Sequence, residues 1–300
     1  MTAPAPLSPA GPERGFILVA VLWILAALAT LASVYTIYAV NTASGAHLPE
    51  ERLRAEMAIR AGVELAAYQV MAAPPNDRPA RGAFAAKLGG LSVEVAFLTE
   101  GARVDLNAAP HPLLAGLFKS LGYEKAADAY ASRIEGWRTE VAPNAPNKEA
   151  DDYSAAGMPY PPRGGPFAST LELSLVRDLP PDLIERMAPY VTVFSGTAQI
   201  DVIDAEPTVL AALPGVPPEV VRKLLAARAK APVDKAALLA MLGPAQGLGT
   251  TGANPSLRAR IVVTPPRGRR IQAEVVFRLA QAIDRPFDIL SWRDDFDAPF

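Results

Sequence analysis

The chain has 300 residues, half of them hydrophobic, with a net charge of −2 and a pI near 5.8. That balance offers no general basic field for nucleic acid or anionic lipid, and the absence of cysteine excludes a disulfide framework and a thiolate metal site. The length allows one large domain or two modest ones with real cores, and 30 prolines predict many loops.

Residues 1–15 are rich in Pro, Ala and Ser and read as a disordered leader. From Gly15 to Val40 no charged residue occurs, and about 25 residues at 1.5 Å rise suffice to cross a hydrocarbon core of about 30 Å. Its polar interruptions, Thr30, Ser33 and Thr36, carry hydroxyls able to bond back to a carbonyl one turn earlier. Three readings compete for the run: a cleaved secretory signal, a permanent anchor, and a pilin-type helix cut on its cytoplasmic side. A secretory core is shorter and ends in a small-residue cleavage site, and a plain anchor gives no role to a Gly at the charged-to-apolar junction followed directly by Phe.

That junction resembles the type IV pilin and pseudopilin signature, in which a prepilin peptidase cuts after Gly and the new terminal Phe is N-methylated. By the resemblance, Gly15 closes the cleaved leader, 1–15, and Phe16 opens the mature chain. Most of that superfamily carry Glu at the fifth mature position; here it is Ala20, a departure shared by one subclass, the minor pseudopilin K of type II secretion.

Beyond the span, Gly45 and Pro49 predict a break or kink between Asn41 and Pro49. The pattern returns from Glu50 to Met71 as an amphipathic helix, with Leu53, Met57, Ala61, Leu65 and Tyr68 as the stripe expected to cover a sheet. Transmembrane and stem helix together occupy 16–73. Leu91 to Thr99 alternates as a half-buried strand, and Arg103 to Leu106 follows as its expected hairpin partner. Near the C-terminus, Arg258 to Thr264 and Ile271 to Leu279 form a second pair, and Phe287 to Trp292 adds a strand. The fold class is α+β: a pilin-like N-terminal transmembrane and stem helix packed on a small antiparallel sheet, 91–106 plus 257–293.

A large helical insertion, 107–256, separates the two parts of the sheet. Within it Leu106-Asn-Ala-Ala-Pro matches Ile203-Asp-Ala-Glu-Pro, 97 positions on. Asn107 and Asp204 are the expected helix caps, with Pro110 and Pro207 in the first turns. Both copies, near 107–137 and 204–228, read as helix-hairpin-helix-like units. Such units often present backbone N–H groups to DNA phosphate, so a membrane-anchored DNA-binding or uptake protein is the alternative function. Against it, Pro217 lacks an N–H donor and Glu124 would repel phosphate. The basic stripe Arg222, Lys223, Arg228 and Lys230 is equally a solvated helix face.

Further segments are similar to the minor pseudopilin K family in order: Leu106-Asn107-Ala108-Ala109-Pro110, Asp151-Asp152-Tyr153, Pro159-Tyr160, Pro166 to Leu173, Ala188 to Val193, and Leu290-Ser291-Trp292-Arg293. The resemblance runs from Gly15 to Arg293. It implies a non-enzymatic subunit at the tip of the type II secretion pseudopilus, supporting export of folded proteins. Its implied partners are minor pseudopilins I and J and the prepilin peptidase, with no nucleic acid. It implies a single inner-membrane pass with the C-terminal part periplasmic. Ala20 suits a tip position, because a capping subunit has no neighbour above whose buried terminus it must neutralise.

Members of that family can bind calcium in the insertion, and no other cofactor is implied. The candidate ligands are Glu149, Asp151 and Asp152, with Glu140 nearby; Arg138 puts a positive charge where a ligand is expected, and a solvated acidic loop is the competing reading. Asp294, Asp295 and Asp297 read as a charged tail. The two histidines, His47 and His111, belong to no zinc spacing, and no nucleophile elbow or phosphate loop occurs. Trp137 is the expected core anchor of the insertion.

Overall fold

The computed structural model describes residues 13–142, 145–230, 232–266, 269–280 and 285–295. The chain forms two compact units, Met1–Glu56 and Met57–Phe300. Helix α1 (Glu13–Met71) contributes to both. In the first unit, Ile17–Tyr38 forms 22 residues of mean hydropathy 2.6, none of them buried, or about 33 Å of helix at 1.5 Å per residue. Thr30, Ser33 and Thr36 donate to the carbonyls of Ala27, Ala29 and Ala32 at 2.8, 2.9 and 2.8 Å, so their hydroxyl protons are satisfied within the helix itself. The expected leader, 1–15, falls mostly outside the described residues. The expected break at Asn41–Pro49 is corrected, because the helix runs through these residues. A proline removes one donor and disturbs one turn, whereas starting a new helix requires a costly nucleus.

In the second unit the stem of α1 buries Ala58, Ile59, Val63, Ala66, Ala67 and Val70. This corrects the stripe read from the sequence, because Met57 and Tyr68 are 62% and 70% exposed and Leu65 is also exposed. Small residues, Ala58, Ala66 and Ala67, share the buried side with Ile59, Val63 and Val70. At Gly62 an added Cβ would sit 3.2 Å from Ile261 and from Val95, so its absence lets the helix approach the strands closely.

Strand β1 (Arg81–Leu88), which the sequence reading left out, pairs antiparallel with β2 (Leu91–Thr99) through Gly89 and Gly90 at φ 56° and 84°. Both turn residues having positive φ fits the tight hairpin turn that matches strand twist. Glu100–Ala102 then forms a short 3-10 turn into β3 (Val104–Asp105). The expected hairpin of Arg103–Leu106 with β2 does not form; β3 pairs in parallel with a strand of the insertion.

The insertion contains α2 (His111–Ser120), α3 (Ala127–Arg138), α4 (Lys148–Ala155), α5 (Pro181–Met187), β4 (Val191–Thr192), β5 (Ile200–Asp201), α6 (Pro207–Ala211), α7 (Pro218–Arg228), α8 (Lys235–Ala240) and β6 (Gly249–Thr250). Its core joins Leu113, Leu117, Phe118, Ile134, Leu183 and Leu210. Trp137 is buried beside the rings of Tyr153 and Phe167. The chain returns to the sheet through β7 (Ser256–Thr264), β8 (Ile271–Leu279) and β9 (Phe287–Asp295), and the five antiparallel strands lie in the order β1-β2-β7-β8-β9. Val93, Val95 and Phe97 of β2 share the buried face with Ala259, Ile261 and Val263 of β7.

Candidate functional site

Two equivalent turns organise the insertion. Asp105 and Asp201 each end a two-residue strand, β3 pairing in parallel with β4 and β5 with β6. Asp105 Oδ1 accepts the Asn107 N–H at 2.8 Å and Asp201 Oδ1 the Ile203 N–H at 2.9 Å. The Ala109 and Ala205 amides donate to the Asp105 and Asp201 carbonyls at 2.8 and 2.9 Å. Each turn leads into a helix pair, α2–α3 and α6–α7, whose second helix sends an arginine back: Arg138 Nη2 donates to Ala109 O at 2.7 Å and Arg228 Nη1 to Ala205 O at 2.6 Å. The duplication is therefore in register at Asp105 and Asp201, 96 positions apart, one residue from the alignment that the Pro residues suggested.

This register also corrects the expected caps. The residues preceding α2 and α6 are Pro110 and Glu206, and neither makes a side-chain capping bond. Asn107 instead braces the chain at Phe167, its Nδ2 donating to Phe167 O at 3.0 Å and its Oδ1 accepting the Phe167 N–H at 2.7 Å. Asp204 lies 2.9 Å from Arg81 Nε. The two repeats meet where Gly116 of α2 passes α6, so closely that a Cβ would come within 1.9 Å of the Ala212 carbonyl oxygen.

The repeats differ electrostatically. Asp105 Oδ2 also accepts from Ser195 Oγ at 2.9 Å and the Gly196 N–H at 2.7 Å. Burial pushes the Asp201 carboxyl up to about 6, against the pull of its bonds from the Ile203 and Asp204 backbone. For phosphate binding the second pair is poorly equipped: Pro217 precedes α7 without an N–H to offer, Glu219 stands in its first turn, and Arg228 is tied to Ala205.

A second cluster joins the insertion to the sheet. Glu100 is fully buried and accepts from Arg258 Nε at 2.8 Å and Nη2 at 3.0 Å, from Arg103 Nη1 at 2.9 Å, and from the Thr192 hydroxyl. Arg258 also donates to Glu274 at 2.6 Å. Burial alone would raise the Glu100 carboxyl, but the bonds and charge of Arg258, joined by Arg103 and Thr192, outweigh it and hold the group below the ordinary carboxylate range. Sequence reasoning missed this cluster. Its one signal was a Glu directly after a strand that otherwise points apolar residues inward.

The acidic residues proposed as metal ligands separate. Glu149 and Asp152 both face Arg133, whose Nη1 lies 2.9 Å and 3.2 Å from them, while Asp151 and Glu140 are exposed. Among the described residues no three His, Asp or Glu side chains are grouped to hold a metal ion. Arg138, suspected of blocking such a site, belongs to the first turn module. His111 Nδ1 lies 2.8 Å from Glu135 and its Nε2 3.6 Å from Asp128; the side chain of His47 lies outside the described residues. Gly15 and Phe16 fall within α1, with their side chains likewise outside. Asp294 is exposed, and Asp297 falls outside the described residues.

Residues 95–196 match the family model of type II secretion system protein K. No curated protein sequence matches the chain. The fold is similar to that of a chain in the GspK–GspI–GspJ complex of the enterotoxigenic Escherichia coli type 2 secretion system, at 15% identity and a TM-score of 0.59 over 82% of this chain and 98% of that one. That likeness concerns the fold. The family match falls on the β2 strand and the first half of the insertion, and the chain is similar there to type II secretion system protein K.

Proposed function

We propose that the chain is a structural, non-catalytic subunit at the tip of a type II secretion pseudopilus, supporting export of folded proteins across the outer membrane. In this reading Ile17–Tyr38 is a single pass through the inner membrane and the unit from Met57 onward is periplasmic. The prepilin peptidase cuts after Gly15, leaving Phe16 as the methylated first residue, and the mature chain assembles with minor pseudopilins I and J. The observation carrying the reading is the family match over 95–196, because an apolar N-terminal helix alone is common to many unrelated proteins. The similarity to a chain of a GspK–GspI–GspJ complex supports the partner assignment.

Intact-mass and N-terminal analysis of the membrane-extracted chain, with and without active prepilin peptidase, tests the processing. The expected outcome is a peptidase-dependent start at methylated Phe16; a chain beginning near Met1 in both samples overturns it. Co-purification with the I and J ectodomains tests the assembly. Salt-dependent binding to duplex DNA in place of that co-purification would favour the DNA-binding alternative.

A further inference from the structure

The acidic segment of α4 has a donor set that does not fit a hard divalent cation. Calcium takes six to eight oxygens at about 2.3–2.6 Å, whereas the carboxylates here are already gathered around guanidinium groups. Arg133, on α3, places Nη1 2.9 Å from Glu149 and 3.2 Å from Asp152, and its Nε 3.2 Å from Asp178. Arg177 supplies a second cation, 3.1 Å from Asp152 and 3.0 Å from Asp178. Three carboxylates and two guanidiniums therefore form one lattice across α3, α4 and the loop that carries Arg177 and Asp178.

The surrounding backbone is shaped to the same contacts. Among the described residues Asp178 is the one non-glycine residue with positive φ, at 65°, a conformation that persists where neighbouring contacts hold it. The Arg177 N–H donates to the hydroxyl of Tyr153 at 2.8 Å, fixing the loop to the side chain that anchors α4 in the core. On α3, Gly136 leaves room for Glu149: a Cβ there would come within 2.9 Å of the Glu149 side chain. Glu149 can thus lie flat on α3 and reach Arg133, one turn away.

We propose that Arg133, seconded by Arg177, is the built-in cation of this insertion, joining α3, α4 and the 176–179 loop as a bound divalent metal would and making the fold of the insertion independent of calcium. The inference rests on the geometry of the lattice and stands apart from the tip assignment.

The test is thermal melting of the full chain in detergent, in calcium and in EDTA, for the wild type, Arg133→Ala, Arg133→Lys, Glu149→Gln and the Arg133→Ala/Glu149→Gln pair. The wild type is expected to melt at the same temperature in both buffers. Arg133→Ala is expected to lower the melting temperature by roughly 5 °C, scaling from about 2–4 °C per kcal/mol for a domain of this size. Arg133→Lys, which keeps the charge but not the two-sided reach of the guanidinium, should fall between. The double variant should lose less than the sum of the single ones, because both remove the same contact. A calcium-induced rise or an EDTA-induced fall in the wild type overturns the proposal, as does strict additivity. If Arg133→Ala does not fold, the wild-type comparison and Arg133→Lys still decide.

Discussion

Glu100 is a carboxylate that water cannot reach, and it remains ionised because Arg258 grips both of its oxygens. Such a group stabilises the fold at any pH above its unfolded value, near 4.3, and the contribution is lost as pH falls through the lower folded value. Glu100→Gln strands the Arg258 and Arg103 cations, and breaking a buried pair from one side costs about 3 kcal/mol or more. Urea denaturation at neutral pH should register that loss, and the difference from wild type should shrink in acid. Asp201 has the opposite sign. Its folded value, pushed up to about 6, lies above the unfolded one, so its contribution is fully present below about pH 3.9 and is lost as pH rises through 6. Asp201→Asn keeps an oxygen for the Ile203 N–H and removes the charge. Relative to wild type it should therefore gain on the order of 2 kcal/mol between pH 4 and pH 8, measured by denaturation at both.

At the scale of elements, the crossing of α2 and α6 depends on having no side chain at Gly116. Gly116→Ala would drive a methyl into the Ala212 carbonyl, and relieving such overpacking costs about 1–3 kcal/mol; the melting temperature should fall, whereas Gly165→Ala, where a Cβ meets nothing within 4 Å, should leave it nearly unchanged. Alternation exposed β2, because a sheet with one buried face writes its period directly into the residues, and β7, β8 and β9 were read as strands near the C-terminus. The β1 strand escaped notice because Arg81-Gly-Ala-Phe-Ala-Ala-Lys-Leu is an edge strand with only half-buried inward positions and with alanines on both faces. The stem stripe was misassigned because apolar residues lie on both sides of that helix, and on the buried side the small Ala58, Gly62 and Ala66 alternate with Ile59, Val63 and Val70. The duplicated turns were visible but one residue out of register, since proline draws the eye while the organising group is an aspartate. No periodicity encodes the Glu100 and Arg133 clusters, which join residues far apart in the chain.

For the whole molecule, the outward face of the stem leaves Met57, Leu65 and Tyr68 in solvent. If the subunit works by assembly, this face is available to a neighbour. Tyr68→Lys should leave the melting temperature within about 2 °C, as surface changes usually stay within ±0.5 kcal/mol, while lowering the yield of the complex with the I and J ectodomains in pull-downs. A parallel loss of melting temperature would instead assign the residue to the fold.

The sheet order carries a consequence for how such a chain finds its structure. Thr99 and Leu257 stand opposite each other on adjacent strands, so the entire insertion is, topologically, the loop of a hairpin. In the unfolded chain those two residues meet only after a long closure, and the entropy of that closure grows with the logarithm of loop length. Once the insertion has formed its own core, its two ends emerge side by side and the same pairing becomes local. The fold is thus expected to assemble from its middle outward, with β2 and β7 zipping last. Pulsed hydrogen exchange during refolding should find the amides of α2 and α3 protected before those of β7.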